Sequence, residues 1–288
     1  MDRILRFVSV FLAAVLLFSG AAFAEEAPGT VRLISHRGYN TAAPENTLPA
    51  FELSARMGYA FVETDVCFTK DLVPVLLHDP YISRTARNAD GSRPDPRIDI
   101  GSITYEEALA YDFGVLKGEE FAGTKLPTFD AFLVLCRERG MHPYIELKEN
   151  GCYLQEDIAG LVDLVRGYGM ERGVTWISMD MEYLEWVRDA DPDARLGYVV
   201  SYWLSRGNFG SILKSVTALR TGTNEVFLDV SYRMLSAAPG GTQNCVAMCR
   251  DAGVPLEVWT VDDKEILETL DPYITGVTTN SLLPERDE

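Results

Sequence analysis

Short runs rich in β-branched and aromatic residues recur along the chain, at Val31 to Ser35, Ala60 to Val66, Pro74 to Leu77, Pro143 to Leu147, Val174 to Ser178, Arg195 to Val200, Glu225 to Val230, Leu256 to Val261 and Gly276 to Thr278. Between most of them lie stretches of helical length and spacing: Leu48 to Met57, Phe129 to Arg139, Gln155 to Tyr168, Met181 to Ala190, Ser211 to Leu219, Gln243 to Ala252 and Asp263 to Leu270. Strands alternating with helices imply a parallel sheet, because each helix carries the chain back to start the next strand in the same direction. Roughly eight such units match a (β/α)8 TIM barrel, typically about 250 residues.

One stretch breaks the alternation. From Asp79 to Lys125 the chain is rich in Gly, Pro, Asp and Arg, with a single short helical signal at Tyr105 to Ala110. It reads as an insertion after the second barrel strand region, too short and too polar to hold a core of its own. Loops that follow barrel strands build the active site, so this one is expected to cover it.

The N-terminus has a different character. Arg3 and Arg6 precede an apolar run from Phe7 to Phe18, and Ala22-Phe23-Ala24 before Glu25 has the small-x-small form of a signal peptidase site. The run falls short of the ~20 apolar residues of a bilayer span. Residues 1–24 are therefore expected to be a cleaved signal peptide, leaving 25–288 as an exported barrel domain, periplasmic or extracellular, with no stable membrane anchor. Five cysteines, Cys67, Cys136, Cys152, Cys245 and Cys249, leave at least one thiol unpaired, and most read as small buried hydrophobes.

Composition narrows the partners. The 288 residues hold 26 Lys plus Arg against 43 Asp plus Glu, a net charge of −17, with 47% apolar residues. That is ordinary globular composition and excludes both disorder and a disulfide-stapled mini-domain. With a pI near 4.6 and no basic run, attraction to nucleic acid or to anionic lipid by charge alone is excluded, leaving a small molecule as the expected partner. If that molecule is anionic, the protein needs a cation to handle it.

The candidate chemistry sits at strand ends. Two of the three histidines, His36 and His78, directly follow apolar β-runs and are expected at the C-terminal rim of the barrel; a lone His there is commonly structural, but two in matching positions favour function. In Phe61-Val62-Glu63-Thr64-Asp65-Val66 the two carboxylates share one face of a strand. Aimed into a barrel, two like charges are costly without a cation between them. A further strand, Pro143-Tyr144-Ile145-Glu146-Leu147-Lys148, adds Glu146, with Lys148 on the same face. Three carboxylates without thiolate or paired imidazole describe a hard oxygen site, for Mg²⁺ or Ca²⁺ rather than Zn²⁺. The competing reading is a metal-free ion-pair cluster of Glu63, Asp65 and Lys148. His142 precedes its strand and is expected at the opposite end, in a structural role.

Taken together these residues resemble the glycerophosphodiester phosphodiesterase family. His36-Arg37-Gly38, Pro44-Glu45-Asn46-Thr47, Glu63-x-Asp65, Thr69-x-Asp71 and His78-Asp79 stand in the family's order and approximate spacing, followed by Arg84-Thr85, Pro127-Thr128, Ile145-Glu146-Leu147-Lys148, Trp259-Thr260-Val261 and Gly276-x-x-Thr279-Asn280. The resemblance spans nearly the whole chain after residue 24. It implies a TIM barrel with an insertion, metal ligands at Glu63, Asp65 and Glu146, and acid/base histidines at His36 and His78. It also implies phosphate-facing roles for Arg37 and Lys148. Two departures stand out: Asp71-Leu72 where Asp-Gly is usual, which alters a turn without touching the chemistry, and Thr279-Asn280 where Thr-Asp is more frequent, so any carboxylate role there lapses. Trp259 could wall an alcohol pocket or pack in the core.

The activity implied is metal-dependent hydrolysis of glycerophosphodiesters to glycerol 3-phosphate and an alcohol. The alternatives are a phospholipase C- or D-like enzyme acting on intact lipid, for which no apolar or basic docking cluster is evident, and an inert phosphodiester-binding barrel. The headgroup, the metal, the division of acid and base between the histidines, and the attacking oxygen stay open at this level.

Overall fold

A computed structural model describes residues 31–94, 97–148, 153–201, 209–238 and 241–285; the expected signal peptide and Cys152 lie outside them. The apolar runs form β1 (Arg32–Ser35), β2 (Phe61–Phe68), β3 (Pro74–Leu76), β4 (His142–Leu147), β5 (Thr175–Ser178), β6 (Arg195–Val200), β7 (Val226–Ser231), β8 (Leu256–Trp259) and β9 (Ile274–Thr279). All but β3 are parallel and pair in a ring, β1-β2-β4-β5-β6-β7-β8-β9 and back to β1. The molecule is a closed (β/α)8 barrel, as the alternation predicts.

Helices cover the outside: α1 (Leu48–Met57), α2 (Tyr105–Ala108), α3 (Phe129–Arg139), α4 (Gln155–Gly167), α5 (Met181–Ala190), α6 (Phe209–Thr217), α7 (Tyr232–Ala237), α8 (Gly241–Ala252) and α9 (Lys264–Glu268). Their ends follow local chemistry. Thr128, Asp180 and Asp263 accept hydrogen bonds from the first-turn amides of α3, α5 and α9, while Gly58, at φ 91°, ends α1. Among the described residues no helix is long and apolar enough to cross a membrane.

The two faces of each strand sort the sequence. Val62 and Val66 of β2 and Ile145 of β4 face outward and pack with Phe51, Phe132 and Leu184 of the helical layer. The inward positions form a separate interior cluster of Ile34, Tyr144, Ile177, Val199 and Phe227. Gly197 permits that packing, since a Cβ there would lie 2.3 Å from the Phe227 ring. At the N-terminal mouth the interior closes on a buried ion cluster, where Glu257 accepts from Arg32 and Arg195, each at 2.7 Å. The Arg195 guanidinium lies 4.2 Å from the centre of the Phe227 ring.

Two expectations need correction. The run ending in Leu77 is not a barrel strand: β3 pairs antiparallel with the far end of β2, Val66 opposite Leu76 and Phe68 opposite Pro74. The chain overshoots the barrel along β2, turns at Thr69 to Val73, and returns to the rim. The turn is held by Thr69 donating to Asp71 at 2.6 Å, and Leu72, in the usual glycine position, takes φ 60°. The second correction concerns the insertion, which does hold a core. Ile82, Ala86, Ile100, Ala108, Phe113 and Leu126 bury against Cys67, Val75 and Leu77. The polar composition misled because the hairpin β2–β3 lends the apolar surface that the insertion lacks.

Because this second core is separate from the barrel's, its loss should be local. Ile82→Ala is expected to cost about 2–5 kcal/mol of the insertion's stability. Amide exchange should accelerate within 79–126 while barrel amides keep their protection. Equal loss of protection throughout the barrel would show that the two cores unfold as one.

Candidate active site

The C-terminal mouth gathers the chemistry. Glu63 and Asp65 point inward from β2, and Glu146 does the same from the facing position of β4, opposite Asp65 in register. One carboxylate oxygen from each lies within 4.8 Å of the others, all three residues being buried. Lys148, just past β4, sits 2.9 Å from Glu146 Oε1 and 3.5 Å from Asp65 Oδ1. Arg37 follows β1: its Nε is 3.2 Å from Asp65 Oδ2, its Nη1 meets Glu45 at 3.0 Å, and its backbone N–H donates to Glu63 Oε2 at 2.9 Å.

The three carboxylates are not alike. Burial alone would raise Asp65, but Lys148 and Arg37 outweigh it and Asn46 donates to Oδ2 at 2.7 Å, so this carboxyl lies far below its usual range. Glu63 is pushed well above the carboxylate range by burial, with Asp65 and Glu146 adding to the shift. Glu146 is pushed up to about 7, again by burial, against the pull of Lys148. Glu63 Oε1 and Asp65 Oδ1 are buried with no hydrogen-bond partner. Glu63 Oε1 has no donor and Asp65 Oδ1 only the Lys148 ammonium at 3.5 Å, so the cluster leaves acceptor oxygens that a cation could use.

The histidines flank the cluster. His36 Nε2 is 3.9 Å from Glu63 Oε2, and its Nδ1 is 2.8 Å from Asn280 Oδ1. The Asn280 amide is oriented by donating to Asp262 at 2.8 Å and accepting from Asn40 at 2.7 Å, so His36 Nδ1 carries the proton in that bond and Nε2 is free to accept. Burial and the Arg37 charge lower His36 to about 4. His78 reaches the rim by the return strand β3; its Nδ1 meets the Asp79 carboxylate at 2.7 Å, and burial lowers it too. Asp79 is in turn paired with Arg84, which also bonds both oxygens of Glu45 at 2.7 Å.

Every site residue expected from the sequence lies at this mouth, Trp259 as the last residue of β8. Trp259, half-buried, packs against the barrel's interior cluster, its Nε1 donating to the Asp229 carbonyl at 3.3 Å. Residues given no role at the sequence level hold the site in shape. Asn46 bridges Thr64 and Asp65, and Asn280 replaces the expected carboxylate, with Asp262 supplying the charge one bond further out. Glu45, Asn46 and Arg84 all fall within quoted motifs, but spacing alone does not reveal which side chains they hold.

A closed barrel with this mouth defines a (β/α)8 enzyme equipped for an anionic group. The chain belongs to the glycerophosphoryl diester phosphodiesterase family, whose model matches residues 36–283. The glycerophosphodiester phosphodiesterase of Caldanaerobacter subterraneus subsp. tengcongensis is 28% identical over 239 residues, 83% of this chain and 88% of that one. A crystal structure from Silicibacter pomeroyi DSS-3 is 25% identical with a TM-score of 0.74, covering 88% of this chain and 91% of that one. A phosphodiesterase from Oleispira antarctica, solved with the product sn-glycerol-3-phosphate, shares the fold at 24% identity and a TM-score of 0.70, over 86% of this chain and 92% of that one.

His142 opens β4 opposite Phe61, the first residue of β2, and thus lies at the other end of the barrel, its Nε2 2.8 Å from Thr175 Oγ1. Burial, aided by Arg195 and Arg32, lowers it from 6.5 to about 3. The folded chain therefore holds this imidazole neutral, and the stability present above the unfolded pKa is lost as pH falls from about 6.5 toward 3. His142→Gln should flatten that acid-side loss in unfolding experiments and leave kcat unchanged. A severe loss of kcat would place a catalytic group at the wrong end of the barrel.

Proposed function

We propose that this protein hydrolyses glycerophosphodiesters to glycerol 3-phosphate and an alcohol, with a divalent cation held by Glu63, Asp65 and Glu146 and with His36 and His78 as a general acid/base pair. The observation that supports the metal is the convergence of three buried carboxylates, in which Glu63 Oε1 and Asp65 Oδ1 make no hydrogen bond and only Asp65 Oδ1 has a cation, Lys148, nearby. The donor set is oxygen only, which suits Mg²⁺ or Ca²⁺. A bound cation would neutralise the charge that builds on the phosphoryl oxygens during displacement.

The chain's own groups do the rest. Arg37 and Lys148 stand beside the carboxylates and are charged at any working pH, so they orient the substrate phosphate and share its charge. One imidazole takes the proton of the attacking hydroxyl or water while the other delivers a proton to the departing alkoxide, leaving the pair in exchanged protonation states. His36 presents Nε2 while Asn280 holds its Nδ1, and His78 is oriented by the Asp79 carboxylate, which offsets part of the lowering that burial imposes. The small-molecule substrate reaches the site from the cavity beneath the insertion. The Arg3 and Arg6 leader with its Ala22-Phe23-Ala24 terminus supports export before the enzyme acts.

Chelation should abolish turnover of glycerophosphodiesters, and added Mg²⁺ or Ca²⁺ should restore it. Either ion should also raise the melting temperature of the metal-free protein, since a ligand of the native state stabilises it by mass action. Glu63→Gln should remove that rise. Full turnover by protein shown to be metal-free would refute the metal role. His36→Ala and His78→Ala should each lower kcat by about 10²- to 10⁴-fold without loss of fold. Unchanged kcat in either variant would remove that histidine from the pair.

A further inference from the structure

The alcohol arm of the diester is still unassigned, and the cavity over the site limits its chemistry. The cavity holds about 410 Å³, in the range of small-ligand sites. Its inner end is formed by His36, Arg37 and Asn280, and its outer wall by the insertion, at Thr85, Leu116 and Lys117.

The charges around it are unequal. Glu45 is engaged on both oxygens, by Arg37 at 3.0 Å and by Arg84 at 2.7 Å, and each arginine meets a second carboxylate, Asp65 or Asp79. Lys117 differs. Its Nζ donates to the Asn40 carbonyl at 2.5 Å, and among the described residues it has no carboxylate within ion-pair distance. An ammonium has three N–H donors, so two remain for a ligand, along with a full positive charge. Among the described lining residues Phe113 alone is aromatic, and it is only 4% exposed. Quaternary ammonium recognition relies on open aromatic faces, and a cationic headgroup here would meet a like charge instead.

We propose that the cavity selects glycerophosphodiesters whose alcohol is a polyol, of the glycerol or inositol kind, over those carrying choline, and that Lys117 determines this preference. The proposal rests on the phosphodiesterase reading of the site. Hydroxyls of a polyol accept from the two open N–H groups of Lys117, while exposed Leu116 beside it covers carbon skeleton. The shared glycerol phosphate portion is the same in every substrate, so the ratio of kcat/KM between headgroups reads the alcohol arm alone.

The experiment measures kcat/KM for glycerophosphoglycerol, glycerophosphoinositol and glycerophosphocholine, with Mg²⁺ or Ca²⁺ present, in the wild type, Lys117→Met and Lys117→Glu. The wild type should favour both polyol diesters, and Lys117→Met should narrow the gap by about five- to tenfold, the size of one water-exposed charge contact. Lys117→Glu should invert the preference, and added salt should narrow it in the wild type. Lys117 is exposed and makes no ion pair with the cluster carboxylates, so a retained rise in melting temperature with added cation shows that the fold and the ion site survive. Three results would overturn the proposal: equal turnover of all three diesters by the wild type, ratios unchanged in both variants, or an equal loss for every diester, which would put Lys117 on the shared portion. Failure of the broader reading would look different, because then no glycerophosphodiester would be turned over by the wild type with any cation.

Discussion

Three carboxylates buried within 4.8 Å of one another at the mouth of a barrel repel, and the surrounding structure is arranged around that repulsion. Asp65 receives most of the compensation, from Arg37, Lys148 and Asn46, and is held ionised. Glu63 receives one backbone N–H from Arg37 and is pushed toward its neutral form. The backbone pays for this placement at two residues outside glycine's usual monopoly: Arg37 at φ 55° and Asn46 at φ 54°. Strain of that kind costs about 1–3 kcal/mol per residue and persists where surrounding contacts over-determine it. Both residues carry such contacts: Arg37 meets Glu63 and Asp65, and Asn46 bonds Asp65 and Thr64. Protonation of Glu63 relieves part of the repulsion, and the oxygen cluster is also compatible with a divalent cation.

The opposite mouth shows what a balanced solution looks like. There Glu257 lies between Arg32 and Arg195, two guanidinium groups for one carboxylate, with Tyr144 and Thr175 hydroxyls as further partners of Arg195. Gly276 makes the room, since a Cβ there would lie 2.6 Å from the Glu257 carboxyl carbon. Here guanidinium groups outnumber the carboxylate, although Glu257 Oε2, like Glu63 Oε1, is buried without a hydrogen bond, so the two ends differ in charge count rather than in open oxygens. Catalytic barrels use the two ends in this way, stability below and reactivity above. The contrast lies in the arithmetic of partners rather than in burial, because both clusters are buried.

Much of this was legible in the sequence, and the parts that were not share a cause. Helices α1, α3 and α5 run where their length and spacing between strands predict, and the period of two in β2 and β4 correctly sends Glu63, Asp65 and Glu146 inward. The same pattern misplaced β3, because a short apolar run carries no information on the direction of its partner. The rim position of His78 was still right, since an antiparallel return brings a strand's last residue to the level its partner has just left; Leu77 N–H donates to the Asp65 carbonyl at 3.1 Å. The insertion's core was missed because Ile82, Ile100 and Phe113 are spread among polar residues, and their burial depends on surface supplied by Cys67, Val75 and Leu77. Asn280 was discounted for lacking a carboxylate, yet its amide joins His36 to the carboxylate of Asp262. Pattern reading assigns a role to a residue type, whereas this role belongs to a chain of two.

The antiparallel detour also separates two tasks that a simple barrel loop would combine. Because β2 overshoots the rim and β3 returns, the insertion stands on its own hairpin and buries its own apolar cluster, outside the helical layer. The barrel end of the detour delivers His78 beside Asp65, where small displacements would disturb the chemistry. The far end delivers Leu116 and Lys117 to the outer wall of the cavity, where substitution changes what the wall meets without moving a carboxylate. Arg84 is the joint between them, bonding Asp79 next to His78 and Glu45 next to Asn46. A roof seated on the β2–β3 hairpin, tied to the floor through Arg84 and through Lys117 at the Asn40 carbonyl, can change its lining while the floor stays in register. That is the physical condition under which one set of phosphodiester chemistry can serve different alcohols.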